Sequence, residues 1–342
     1  MIFLFICLWH LNCLFTLRQH KINILTILSS RQISFKKIYL PSGSGLNTDN
    51  RKPTTEHTMH NLSLGIIAYN EEANIALLLQ RVLNQKFTNG YNLKEIFVVA
   101  FGCTDRTEDI VINVMKRDER IKLLSQPQRE GKASAINLFL SKASGDIFVL
   151  ESGDTLPEEE TFDSLVAPFD NPLVGMTGAH PIPVNSNDTF IGYAVNLMWS
   201  LHHKIALTTP KLGKLVAFRN FIKEIPGDTA IDEASIEALV KQSGYGLYYV
   251  PDAVVQNKGP ETIKDFIKQR RRIATGYKYL QHKQNYKVNT SNPMKLAGLL
   301  LKERTWNFKH TMWTLGAISL EIICRILGSY DYYIKKENSL YL

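Results

Sequence analysis

The chain has little cysteine. Cys7, Cys13, Cys103 and Cys324 are the only four in 342 residues, and they show no metal-ligand spacing. Thiols this few and this scattered build no disulfide framework, which points to a reducing compartment. A P-loop is also missing. Gly131-Lys132 has no second glycine five positions earlier and no Ser or Thr directly after the lysine. No internal repeat of fixed period occurs. No known nucleic-acid-binding module accompanies the basic residues, so nucleic acid is not expected as a partner. Uninterrupted membrane-length apolar runs are lacking too. Residues 1–17 are apolar but short, and His10 and Asn12 interrupt them. A signal anchor there would have no positive segment before it and no small-residue cleavage site after it.

The charge present is unevenly placed. The net charge of +8 divides into +5 over residues 1–58, −7 over 59–256, +10 over 257–310 and zero over 311–342. An acidic body followed by a strongly basic segment suggests divided work. The basic part suits phosphates or an anionic membrane surface. A solvated basic helix would give the same count.

Residues 41–58 are rich in Ser, Gly, Asn, Thr and Pro and read as linker. Residues 1–58 are therefore expected outside the fold, with Met59 as an alternative start just before the first strand. From Leu62 the pattern is regular. Strands are expected at Leu62–Ala68, Glu95–Phe101, Ile121–Ser125 and Asp146–Leu150. Helices are expected at Asn74–Asn84, from Glu108 to Met115, and at Lys132–Ala143. Such alternation implies βαβ units and a parallel sheet. The pattern then changes. Strands are expected at Met176–Ile182, Lys214–Phe218 and Gly246–Pro251, and helices at Phe190–Ala206, Ala230–Ser243 and Thr262–Tyr279.

Polar residues capable of chemistry gather at the expected strand ends, where α/β sheets bind ligands. The fourth strand runs into Glu151 and Asp154, hard oxygen ligands suited to Mg²⁺ or Mn²⁺. An acidic turn capping the next helix explains the same letters. The first strand ends in Ala68-Tyr69-Asn70-Glu71-Glu72, where Asn70 or Glu71 suits a helix cap. The second ends in Gly102-Cys103-Thr104-Asp105, again a turn-and-cap sequence. Gly131-Lys132 opens a helix and offers one ammonium and free N–H groups to a diphosphate.

These segments, in this order, resemble the family-2 glycosyltransferases of the GT-A fold, over roughly residues 62–275. The matching segments are Tyr69-Asn70-Glu71-Glu72, Gly102 to Thr107, Gly131-Lys132 with Ala135 and Asn137, and Gly153-Asp154-Thr155. The resemblance implies an α/β fold with a mainly parallel central sheet flanked by helices, carrying a basic helical C-terminal extension. It implies a catalytic domain over 59–280, with the extension over 281–342. Ala68, Tyr69, Glu71 and Asp105 would then surround the nucleotide, and Lys132 its phosphates. Asp154 aligns with the last Asp of the family's Asp-x-Asp metal motif. Ser152 falls where the first would be, and Glu151 sits one residue earlier. Ala230 to Ile236 looks like the segment supplying the catalytic base. The family usually reads Glu-Asp there, so Asp232 and Glu233 stand as joint candidates. Gln269-Arg270-Arg271-Arg272-Ile273 looks like the Gln-x-x-Arg-Trp motif, with Ile273 for Trp. It puts Gln269, Arg270 and Arg272 near the donor diphosphate. Ala100 and Phe101 stand where family members often carry acids for uracil and ribose.

The activity so implied is inverting transfer of a sugar from a nucleotide-diphosphate donor to a hydroxyl of a glycan or lipid-linked acceptor. The base is Asp232 or Glu233, and the cofactor is Mg²⁺ or Mn²⁺. Two other readings stay open: a non-catalytic nucleotide-sugar-binding protein on the same fold, and a nucleotidyltransferase. Residues 310–328 are mostly apolar, with Glu321 and Arg325 one helical turn apart. They read as an interfacial helix or one packed on the domain, since Glu321 would be costly at mid-bilayer. Lys295, Lys302, Arg304 and Lys309 lie just upstream. Peripheral contact with anionic lipid at the cytoplasmic face of the cell membrane is the expectation.

Overall fold

Both faces of the first four strands are apolar, which demands helices on both sides. The computed structural model has this arrangement. It describes residues 59–88, 90–227, 231–286 and 307–335, all within one compact unit. The expectations for residues 1–58, and for Lys295, Lys302 and Arg304, lie outside the described residues. The first half runs β1 (His60–Ala68), α1 (Ile75–Leu83), β2 (Tyr91–Phe101), α2 (Thr107–Met115), β3 (Ile121–Gln126), α3 (Lys132–Lys142) and β4 (Ile147–Ser152). The second half runs β5 (Thr155–Pro157), α4 (Thr161–Val166), a 3₁₀ turn (Ala167–Asp170), β6 (Val174–Pro183), α5 (Phe190–Ala206), β7 (Leu215–Arg219), α6 (Asp232–Gln242), β8 (Gly246–Asn257), α7 (Ile263–Lys283) and α8 (Phe308–Tyr330).

The strands form one eight-stranded sheet in the order β3-β2-β1-β4-β7-β6-β8-β5. The β3-β2-β1-β4 block is parallel throughout, and β6 and β8 are parallel. The pairs β4-β7, β7-β6 and β8-β5 are antiparallel. The sheet is thus mainly parallel, flanked by helices. The short elements β5 and α4 escape periodicity because neither completes a pattern. β8 outruns its expected end at Pro251, because a register shift opposite Gly178 and His180 takes up the interruption.

Strand pleating sorts side chains onto two cores. On one face Leu64 and Ile66 meet Leu78 and Leu79 of α1 and Phe162 of α4. On the other, Val99, Phe148 and Leu150 meet Ile136 and Phe139 of α3 and Ile236 of α6. Phe139 sits edge-on to Phe97 at 6.0 Å and to Phe148 at 5.6 Å between ring centroids. Gly65 makes room for it, since a Cβ there would lie 2.7 Å from Phe139 Cγ.

The boundary expected at residue 280 falls inside α7, and α8 packs back on that helix. Arg270 donates twice to Glu321, at 2.8 Å each, and Arg271 pairs with the buried Asp331. Thr275 Oγ1 donates to Gly328 O at 3.1 Å, and Cys324 is fully buried. A Cβ on Gly328 would meet Ala274 Cβ at 2.7 Å, so the crossing needs glycine. Tyr193 of α5 bonds Thr314 at 2.7 Å. The outer face of α8 carries exposed Phe308, Met312, Leu315, Ile322, Ile326 and Tyr330. With the π-helical turn that follows, Phe308–Lys335 is long and apolar enough to cross a membrane, by length and composition only.

Phe139→Ala should cost about 3–5 kcal/mol, the usual loss for a fully buried ring. Urea denaturation of the purified protein measures it.

Candidate active site

The parallel block brings the ends of β1, β2, β3 and β4 to one edge of the sheet. β7 enters antiparallel to β4 with Leu215 opposite Glu151, so Lys214 arrives at that same edge.

At the end of β1, Asn70 takes a left-handed backbone (φ 55°) and its side-chain oxygen accepts from Thr104 N at 2.8 Å. This joins the loops after β1 and β2. Asp105 completes the join. It accepts from Glu72 N at 3.0 Å, Thr107 N at 3.0 Å and Thr107 Oγ1 at 2.6 Å. These bonds outweigh burial and hold its carboxyl below the usual range. Asp105, expected to face a nucleotide, is a strut between two loops. Neither Asn70 nor Glu71 caps α1 through its side chain. The cap position is Asn74, whose amide donates to Gly153 O at 2.6 Å and Thr155 O at 3.2 Å. Ala68 is fully buried. Half-buried Tyr69 leans on Phe101, and the Arg129 guanidinium lies 4.2 Å from its ring centroid.

Lys132 opens α3 and reaches three groups. Its Nζ lies 2.9 Å from Glu233 Oε1, 3.9 Å from Asp232 Oδ2 and 3.4 Å from Ser152 Oγ. Asp232 and Glu233 form the first turn of α6. Burial pushes Asp232 up to about 7, and neighbouring Glu233 adds to this against the pull of Lys132. Burial would raise Glu233 too, but the Lys132 ammonium wins and holds it below its ordinary range. The Asp232 side chain is 4% exposed and that of Glu233 20%, so Glu233 is the member facing out. Asp232 Oδ1 is buried without a hydrogen-bond partner.

Opposite stands Asp154, whose Oδ2 lies 2.8 Å from Lys214 Nζ. Glu71 is close to both. Gly153 allows this approach, since a Cβ there would lie 2.9 Å from Glu71 Cγ. Burial first, then Asp154 and Asp105, push the Glu71 carboxyl up to about 7 against the pull of Lys214.

Two expectations need correction. Glu151 was a candidate metal ligand. Strand alternation puts it with Ile147 and Val149 on the α1 face, 1% exposed, where it accepts from Thr155 Oγ1 at 2.8 Å. Burial raises its carboxyl to about 8. Arg270 was expected at the donor diphosphate. Its guanidinium is buried and held by Glu321. Arg272, by contrast, is exposed and exerts its charge on Asp232. Gln269 is half-buried on the same helix.

Lys214 and Arg129 were missed as site residues. Arg129 lies two residues before the Gly131-Lys132 segment. Lys214 was expected only as the first residue of a strand, and its partner Asp154 lies 60 residues away. Two histidines also come together: His180 and His203 stack at 4.0 Å, and His203 Nδ1 bonds Tyr249 OH at 2.9 Å.

The donor set suits a hard divalent ion only in part. Asp154 is partly exposed, Glu71 is its neighbour, and Glu151 is out of reach. Among the described residues no group of three or more His, Cys, Asp or Glu side chains could hold a metal. Mg²⁺ and Mn²⁺ tolerate this when substrate phosphates supply the remaining oxygens.

Residues 63–224 match the family model described as glycosyl transferase family 2. They form a domain of that family. A probable glycosyltransferase of Bacillus subtilis, YdaM, is 27% identical over 238 residues, 64% of this chain and 56% of its own length. The dolichyl-phosphate beta-glucosyltransferase ALG5A of Trichomonas vaginalis is 32% identical over 108 residues, 30% of this chain and 33% of its own. The chain thus spans between a third and somewhat over half of these relatives. Among solved structures, the mannosyltransferase PcManGT of Pyrobaculum calidifontis, in complex with GDP-Man and Mn²⁺, superposes with a TM-score of 0.58 at 20% identity. That match covers 82% of this chain and 88% of the other, and establishes a shared GT-A-type fold.

Glu71 gives this family 2 domain a pH signature. The folded chain keeps the Glu71 proton above 4.5, so this share of stability is full below pH 4.5 and lost as pH rises through about 7. Glu71→Gln should flatten that decline, read as urea midpoints across the same pH range.

Proposed function

We propose that the chain transfers a sugar from a nucleotide-diphosphate donor to an acceptor hydroxyl, with inversion. The observation carrying this is the cluster of Lys132, Asp232 and Glu233 beside Ser152, facing Asp154 at the strand ends of a family 2 domain. Glu233, the outward member, takes the proton from the acceptor hydroxyl. The acceptor oxygen then bonds to the anomeric carbon as the nucleotide diphosphate leaves from the opposite face. Asp232 stays behind Glu233 and shares its titration, so the two act as one coupled base. Asp154 would hold Mg²⁺ or Mn²⁺, with the donor's phosphates supplying further oxygens. When bound, that ion neutralises charge developing on the leaving group. Tyr69 and Arg129 form a stacking platform for the nucleobase beside Ala68, and Glu71 lies toward the ribose. Arg272 and Gln269 reach the acceptor side of the diphosphate.

The acceptor is a glycan or a lipid-linked hydroxyl at the cytoplasmic membrane face. The exposed apolar stripe on α8 supports peripheral contact, with basic α7 beside it. Two relatives carry lipids in their names: dolichyl-phosphate beta-glucosyltransferase and beta-monoglucosyldiacylglycerol synthase.

A thermal-shift screen against nucleotide sugars identifies the donor, because a ligand bound only to the native state raises stability. With that donor, Glu233→Gln should lower kcat by about 10²–10⁴-fold while leaving donor affinity near wild type. Asp232→Asn should do the same to a lesser degree. Donor binding without transfer or hydrolysis in the wild type would make the chain a nucleotide-sugar-binding module instead. For the membrane, the protein should float with vesicles containing anionic lipid and leave them on carbonate washing. Ile322→Ser with Ile326→Ser should weaken flotation without lowering the melting temperature.

A further inference from the structure

Lys214 is built into the site more firmly than a surface lysine. Its backbone is left-handed (φ 65°), a conformation that residues with a Cβ adopt only when their surroundings impose it. Leu215 N donates to Gly213 O at 2.8 Å, closing a tight turn around it just before β7. The Lys214 side chain is 20% exposed, and that of its partner Asp154 is 41% exposed. The cation is therefore lodged against the protein, and the carboxylate is the open member of the pair.

The charge also does more than satisfy Asp154. It acts on Glu71 and reaches Glu233 across the site. Without it, Glu71, Asp105 and Asp154 would repel one another more strongly. A divalent ion on Asp154 needs the same carboxylate that the ammonium now holds. Both cations on one carboxylate repel each other, so a bound metal weakens the lysine's hold on Asp154.

We propose that Lys214 is a resident counter-ion that competes with the divalent cation for Asp154. This rests on the reading of Asp154 as the metal carboxylate. Its consequence concerns the order of binding. A bare ion meets an occupied carboxylate and binds weakly. An ion arriving with a diphosphate brings anionic oxygens that take over the freed ammonium. The metal then enters with the donor, not ahead of it, and the carboxylates stay neutralised while the site is empty.

Titration of Mn²⁺ alone, followed by the loss of its free electron paramagnetic resonance signal, tests this without any turnover. Lys214→Met and Lys214→Gly should each bind Mn²⁺ about fivefold more tightly than wild type, the scale of a partly exposed ion pair. The difference should shrink as salt is added. Glycine accepts the left-handed backbone, so at least that variant should fold, as a melting curve verifies. Lys214→Arg should match wild type, and Asp154→Asn should lose the site. Equal Mn²⁺ affinity in wild type, Met and Gly forms, with loss in Asp154→Asn, would overturn the competition and leave the metal reading standing. Mn²⁺ binding that survives Asp154→Asn, or is absent from every form, would overturn both.

Discussion

One ammonium group ties the site together. Lys132 stands at the start of α3 and reaches the start of α6 and the end of β4. Those three segments lie apart in the chain, and two adjacent carboxylates at a helix start would otherwise repel. Asp232 and Glu233 gain a little from the helix dipole, which favours negative charge in the first turn. That gain is small beside the desolvation of two adjacent acids. The lysine makes the pair tolerable, and it splits their behaviour. Glu233 stays charged under its direct contact, and Asp232 keeps a proton to about 7. Weakening Lys132 would therefore disturb both the packing of α6 and the readiness of the base.

The second cation follows a different logic. Lys132 is held by groups from two other elements, α6 and β4, and Lys214 by the partly exposed carboxylate of Asp154. A site that must admit a diphosphate needs positive charge before the ligand arrives, and a carboxylate able to bind metal afterwards. A lysine resting on that carboxylate meets both needs, provided the contact opens. The backbone of Lys214 is held in its turn, so the movement falls to four methylene groups of side chain.

Much of this was legible in the sequence, and the rest failed for identifiable reasons. The βαβ half announced itself through alternating apolar runs, and the strand-end segments fell where parallel topology gathers them. Glu151 was readable in principle. It shares parity with Ile147 and Val149, so if those face the core, Glu151 must too. Asp105 could not be resolved, because a strut and a ligand use the same Thr-Asp letters. Lys214 was invisible, because its partner lies 60 residues away across an antiparallel pairing that the apolar pattern does not specify.

The basic helix shows how a charge count misleads when it ignores direction. Arg270 and Arg272 were both expected near the donor diphosphate, with Arg271 between them. Consecutive residues on a helix lie about 100° apart, so the three cannot share a target. Arg270 turns to Glu321 and Arg271 to Asp331, fastening α8 onto α7. Arg272 stays exposed, and its charge acts on Asp232. The acid that made a mid-bilayer span costly, Glu321, is thus the anchor of the helix on the domain. Its pairing with both Arg270 and Arg325 turns the polar side of α8 inward. The apolar stripe is left outward by that choice, so the ion pairs fixing the helix also set which face meets the surroundings.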